Sequence, residues 1–320
     1  MTVSAPNEEF LTKRFVVPYM FEIMNPMLAW TDMFPMVRST APVVGYKQET
    51  VSDSTDTKKQ KPKIKTTTGQ WTYVNISQFT MKSAILNKKG FAIKIDPDAL
   101  DYTEGVDEIQ RAFRKTAFWI AEDFNDRISD EITASATALS TDWTPSAVWS
   151  DPNATPIADL EDLEDCFIRE GYPYRLTDVY VHKTNFKEFK KYLTSIDIGD
   201  FKQQNLYGVP NNGKMDSIDV PVVGTTVHRL LSGVSEGSIV AMDRNNPGLS
   251  VFYNPSRRYS VMNGNYNTIA NGQKISKSLA YGFNYNRYTD QETHEEVIQL
   301  WYDNVPVTLE PYAIATDQGI

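Results

Sequence analysis

The groups in this sequence that could bind a metal or activate a nucleophile are few and scattered. His182, His228 and His294 are the only histidines, and none stands in the two-histidine spacing that lets one helix or loop hold zinc. Cys166, the single cysteine, follows Glu164 and Asp165, whose charge disfavours a thiolate, so it reads as a buried helix residue. Asp96, Asp98 and Asp101 resemble the start of a calcium loop. Pro97 and the missing loop glycine and closing glutamate depart from that pattern, and capping of a following helix fits the aspartates better. The run His294-Glu295-Glu296 lacks the second histidine of a zinc protease. Asn211-Asn212-Gly213-Lys214 lacks the rest of a phosphate loop, and neither a nucleophile elbow nor a kinase signature occurs. The sequence therefore predicts no catalytic, cofactor-binding or metal-ligating residue, and reads as a protein that is not an enzyme.

What remains is charge and apolar surface. The chain of 320 residues has 32 Lys+Arg against 41 Asp+Glu, a formal charge of -9, the wrong sign for a dedicated reader of nucleic acid. Within that balance two opposite clusters stand out. Lys58, Lys59, Lys61, Lys63 and Lys65 crowd one polar stretch, and Asp159, Glu161, Asp162, Glu164 and Asp165 crowd one helix. The lysines are expected to lie across a neighbouring subunit with these acids as partners; the plainer reading is a solvated tip. Met20, Met24 and Met27 belong to a methionine-rich N-terminal stretch whose adaptable side chains suit an irregular apolar groove; they are expected to contact a neighbour too, and the plainer reading is ordinary core packing within one subunit. The 17 Tyr and 6 Trp would serve a sugar-stacking surface or subunit interfaces, where both types are enriched.

Length allows about two domains at ~150 residues each. One cysteine excludes an intrachain disulfide and points to a reducing compartment. Met1 to Arg14 lacks the basic start and apolar core of a signal peptide. Phe15 to Trp30 is broken by Pro18, Glu22, Asn25 and Pro26 and is shorter than the ~20 residues that span a bilayer. A soluble, intracellular protein without a membrane partner is expected.

The elements that must position these clusters follow from periodicity. Residues 1–43 show no sustained period and are punctuated by Pro6, Pro18, Pro26, Pro35 and Pro42, so they read as an arm that needs another surface. Residues 44–95 read as a long two-stranded excursion, outgoing through Val43, Val44 and Tyr46 and returning through Trp71, Tyr73, Val74 and Ile76. Such a ribbon has little core of its own. Val106, Ile109, Phe113, Ala117, Ile120, Phe124, Ile128 and Ile132 recur at spacings of three or four, one long amphipathic helix of ~30 residues and roughly 45 Å. A second helix starts with Thr155 as cap and Pro156 in its first turn, and stops before Gly171 and Pro173. Beyond it the pattern is mixed. A strand at Val179 to Val181 and a basic helix at Asn185 to Leu193 are followed by strands at Val220 to Thr226, Ser238 to Met242, Leu249 to Tyr253 and Val305 to Pro311.

This order of parts resembles the major capsid proteins of tailed viruses, whose Hong Kong 97-like fold also builds encapsulin compartments and the floor of herpesvirus capsids. The local likeness is in Gly237-Ser238-Ile239-Val240-Ala241-Met242-Asp243, the turn Asn245-Asn246-Pro247-Gly248 and the strand Leu249 to Tyr253. It continues in Val305-Pro306-Val307-Thr308-Leu309-Glu310-Pro311-Tyr312-Ala313-Ile314. The resemblance implies an α+β chain with an N-terminal arm (1–43), a long β-hairpin extended loop (44–95), a peripheral domain with a spine helix (96–176) and a mixed axial domain (177–320) whose strands return to the peripheral domain. It further implies hexamers and pentamers of the chain in an icosahedral virion shell assembled in the host cytoplasm. Packaged double-stranded DNA would be contacted non-specifically, and the partners would include a separate scaffolding protein, a portal and decoration proteins. An encapsulin-like compartment and a carbohydrate-binding adhesin module are the alternatives.

Overall fold

A computed structural model describes the chain outside residues 1–12, 25–26, 29, 31–32, 49–79, 97–102, 136–142, 170–173, 196–216, 221–222, 231–232 and 255–281. The lysines at 58–65, the return strand Trp71 to Ile76 and the capping residue Asp101 lie outside the described residues. The chain forms two compact units, each assembled from three separated stretches: Met1–Val44, Ala84–Ile128 and Ser250–Val307 in the first, and Gly45–Ser83, Ser129–Leu249 and Thr308–Ile320 in the second.

The first unit is helices on a sheet. Helix α1 spans Lys13–Met24, although its sequence lacks an obvious period and carries Pro18. Val16, Val17, Met20, Phe21 and Met24 nevertheless fall at i, i+1, i+4, i+5 and i+8, one helical stripe, and all five are fully buried. The rings of Phe21 and Phe283 meet edge to face at 5.2 Å, an arrangement that aromatic quadrupoles favour. This corrects two expectations. The segment finds its apolar partners in its own chain, and Met20 and Met24 are core residues, not contacts to a neighbour, because burying this stripe outweighs the proline's local cost. Met27 is half-buried, and its carbonyl accepts a bond of 2.9 Å from Asn125 Nδ2.

Helix α2, Thr103–Ser135, has 33 residues and is therefore ~50 Å long at 1.5 Å per residue. Ile109, Phe113, Ala117, Ile120, Phe124, Ile128 and Ile132 are all buried, while Glu108, Arg111, Arg114, Lys115, Glu122, Asp126 and Asp130 are exposed, as one apolar stripe requires. The sheet of this unit is organised by β11, Glu296–Thr308, long enough to serve several partners. Antiparallel to it run β10, Phe283–Thr289, in register from Phe283↔Tyr302 to Thr289↔Glu296, and β4, Asn87–Ile95, from Asn87↔Asn304 to Ile95↔Glu296. Next to β11 lies β9, Leu249–Tyr253, and β1, Met36–Arg38, pairs parallel with β9. Strands β2 (Val43–Gln48) and β3 (Thr80–Ile85) pair with each other, whereas β4 belongs to the β11 sheet.

The second unit is a sheet in the order β12-β8-β5-β7-β6. Its strands are β5 (Asp178–His182), β6 (Ser217–Val220), β7 (Thr225–Leu230), β8 (Ser238–Met242) and β12 (Ile314–Gln318). Only β5 and β7 are parallel; β8, β6 and β12 join antiparallel. The run Val220 to Thr226, expected as one strand, is divided between two. Strand β6 ends at Val220, the Val223 and Gly224 amides donate to the Val220 carbonyl at 3.1 and 2.9 Å, and Gly224 takes φ of 74° before β7 begins. The expected strand Val305 to Pro311 likewise stops at Thr308, because Pro311 opens a short 3-10 turn through Ala313. Helices α3 (Pro156–Arg169) and α4 (Lys183–Ser195) cover the sheet face of Val179, Val181, Val227, Ile239 and Ala241, sharing one core with them through Leu160, Leu163, Phe167, Phe186, Phe189 and Leu193.

Candidate assembly surfaces

The described residues hold no group of three or more His, Cys, Asp or Glu able to bind a metal ion. Among them no helix is long and apolar enough to cross a membrane. What the fold does display is surface that a single chain leaves bare. On the ribbon, Val43 is 50%, Met81 66% and Ile85 63% exposed. In the first unit, Phe118 and Trp119 project from α2 at 45% and 48% exposure, and Phe91 of β4 lies 5.7 Å from the Trp119 ring. A nearby aromatic, Trp301, carries the Lys88 ammonium over its face at 4.5 Å, a cation–π contact.

The five acids of α3 do not share one role. Asp159 is buried and receives the Trp149 indole N–H on Oδ2 at 3.0 Å and the Ser146 amide on Oδ1 at 2.8 Å. It therefore closes the loop before α3, and the expectation that it faces a neighbour is corrected: two donors satisfy its charge inside its own unit. Glu161, Asp162 and Asp165 are exposed and Glu164 is half-buried. Cys166 lies within α3. His294 is exposed in the turn before β11 with φ of 55°, and Asp96 is exposed just after β4.

One polar network was invisible in the sequence. Asp178, 2% exposed, accepts His228 Nε2 on Oδ1 at 2.6 Å and the Thr177 hydroxyl on Oδ2 at 2.8 Å. The Arg244 guanidinium stands 3.8 Å off, and the Tyr180 ring stacks on His228 at 4.6 Å. Burial pushes the Asp178 carboxyl upward, but the hydrogen bonds from His228 and Thr177 and the charges of His228 and Arg244 outweigh it and hold its pKa below the usual value. Burial, with the Asp178 charge, raises the Tyr180 hydroxyl far above its ordinary range. A carboxyl whose folded pKa is depressed lends stability above the unfolded value of ~3.9, and that stability is lost as pH falls through the folded value. Thermal melts are accordingly expected to fall steeply below about pH 4. Asp178→Asn should flatten that acid limb and cost about 1–3 kcal/mol at neutral pH through unsatisfied donors. An unchanged acid limb in the variant would remove Asp178 from this role. The sequence could not show the network because Asp178 and Tyr180 meet His228 through the parallel β5–β7 register, Tyr180 opposite His228, while Arg244 follows β8 on the other side of β5.

No family model matches the sequence, and no curated protein matches it. In fold the chain is similar to the protein of a virus-like particle from Pyrococcus furiosus, with a TM-score of 0.56 at 9% identity over 96% of this chain and 100% of that one. It is similar also to the capsid protein of Cyanophage P-SCSP1u, with a TM-score of 0.53 at 9% identity over 90% and 87% of the two chains. A third likeness is to the capsid of a native GTA particle, with a TM-score of 0.50 at 10% identity over 93% and 90%. At such identities the likeness lies in the fold alone.

Proposed function

We propose that this chain, whose fold is the α+β Hong Kong 97-like one, is the structural subunit of an icosahedral viral shell that encloses double-stranded DNA. The observation that carries the reading is the bare apolar surface of Phe91, Phe118 and Trp119 together with the ribbon's Val43, Met81 and Ile85, all exposed in one chain. Exposed large apolar side chains that gather, as Phe91 and Trp119 do, mark contact sites. Self-association in hexamers and pentamers would cover them, and the work of such a protein is geometry, not chemistry. A net charge of -9 fits a wall that holds packaged DNA loosely. A separate scaffolding protein, a portal and decoration proteins are the further partners this reading brings. Met27 and the lysines Lys58, Lys59, Lys61, Lys63 and Lys65 remain candidate contacts to a neighbouring subunit.

Sedimentation and negative-stain imaging of the purified chain are expected to show rings or closed shells. Trp119→Ala is expected to weaken each subunit contact by about 2 kcal/mol, roughly 30-fold, as loss of a central aromatic does, while the melting temperature of the unassembled chain stays near that of the parent. A wild-type chain that stays monomeric at high concentration would overturn the reading.

A further inference from the structure

In the second unit, α3 and α4 present opposite charge on one side of the sheet. On α3 the exposed residues Glu161, Asp162 and Asp165 fall at i, i+1 and i+4, a single stripe. On α4 the exposed residues Lys183, Lys187, Lys190 and Lys191 fall at i, i+4, i+7 and i+8, again a single stripe. The helices are neighbours. Trp149 gives its N–H to Asp159 of α3 and lays its ring 5.4 Å from Phe189 of α4, and the Asp159 charge, after burial, raises the Tyr192 hydroxyl of α4. Yet the two stripes do not neutralise each other. Lys191 pairs with Glu188 of its own helix at 2.7 Å, while Lys183, Lys187, Lys190, Glu161, Asp162 and Asp165 make no ion pair with any described residue. Like charges at i and i+4, such as Glu161 and Asp165 or Lys183 and Lys187, repel within each helix, and an opposite surface from outside would relieve each stripe.

We propose that this surface is a second copy of the chain, with the lysine stripe of α4 in one copy set against the acidic stripe of α3 in the next. This rests on the shell reading above and names one of its contacts. The two stripes are different patches of one subunit, so the contact is heterologous, and a heterologous contact whose rotation closes makes a ring. A nucleic acid is the poorer occupant because the acidic stripe flanks the lysines on the same side of the sheet and would repel phosphates. Single exposed pairs are weak; repeated around a ring they act together, and salt screens them.

The test uses the full chain and three variants: K183E/K187E/K190E, E161K/D162K/D165K, and the six-fold swap that joins both sets. Each triple variant is expected to raise the concentration needed for ring or shell formation about tenfold or more at 0.1 M salt, and the swap is expected to restore it. Mixing the two triple variants in equal amounts is expected to restore even-membered rings, which only a contact between copies can do. All substituted positions are solvent-facing, and circular dichroism with thermal melting checks that each variant is folded. Should one fail to fold, Lys183, Lys187 and Lys190 changed to Gln are expected to give a smaller loss in the same direction. Triple variants that assemble at the wild-type concentration with the wild-type salt response overturn the proposal and leave the shell reading standing. So does a loss that neither the swap nor mixing restores, and changing the five lysines at 58–65 to Gln then tests that loop as the acids' partner. A wild-type chain that never assembles overturns the shell reading itself.

Discussion

Phe113→Ala and Phe124→Ala are each expected to cost about 3–5 kcal/mol of stability, the range for emptying a buried aromatic site that cannot fully collapse. Phe113 is 1% and Phe124 2% exposed, and both belong to the α2 stripe between Ile109 and Ile128. The helix backbone on either side is held by further buried residues, Ala117, Ile120 and Ala121, so neighbours cannot move in to fill the space. Against a typical total of 5–15 kcal/mol, such a loss removes a large share of the stability. Phe118, off that stripe and 45% exposed, supplies the control: Phe118→Ala is expected to change stability by no more than ~0.5 kcal/mol. Urea titrations of the three variants decide it. A cost under about 1 kcal/mol at Phe113 or Phe124, or similar costs at all three sites, would mean that the buried side of α2 has been wrongly assigned.

The legibility of this fold in its sequence follows the same physics. Helix α2 could be read because its apolar spacing is regular over many turns and no Pro or Gly breaks it after Gly105. Helix α1 has only 12 residues, so its stripe of Val16, Val17, Met20, Phe21 and Met24 is too short to stand out, and Pro18 with the nearby Pro26 gave the local signal of an arm. Only the buried partners, Phe283 among them, show that tertiary burial wins over the breaker. The same conflict in reverse misled at Val220 to Thr226, where β-branched residues imitate one strand, yet β6 ends at Val220 and β7 begins at Thr225. Local chemistry proposes an element, and the surface it can bury decides.

The acidic cluster shows what a one-dimensional reading leaves out. All five acids of α3 look alike in sequence, but Asp159 turns inward because Trp149 and Ser146 offer it donors from the preceding loop. Those donors sit ten and thirteen residues away, beyond any helical period. The basic character of α4 was plain from its composition. Its place beside α3 was not, because the adjacency is made by a shared core and by the Trp149 bridge, neither of which leaves a periodic trace.

Gly248→Ala is expected to be the most damaging exchange of a small residue in the second unit, at about 3 kcal/mol or more, because strain and close contact add. The turn from β8 to β9 holds Gly248 at φ of 62°, a conformation that costs a residue with a Cβ roughly 1–2 kcal/mol. A Cβ there would also run into the Glu310 carbonyl oxygen and stand 2.9 Å from the Ala313 Cβ. Neither obstacle can swing aside. The Gly248 carbonyl accepts the Leu309 and Glu310 amides at 2.7 and 2.9 Å, and the Glu310 carboxylate accepts from the Tyr174 hydroxyl and Asn246 Nδ2 at 3.0 and 2.6 Å, so the segment leading into β12 is clamped to this turn. Gly224 isolates the conformational part, for it has a similar φ of 74° but no heavy atom within 4 Å of the place a Cβ would take. Gly224→Ala should therefore cost only the conformational ~1–2 kcal/mol. Chemical denaturation of the two variants under identical conditions reads the difference, and equal losses would show that Gly248 is required for its backbone angle alone and that the approach of Glu310 places no limit on the turn.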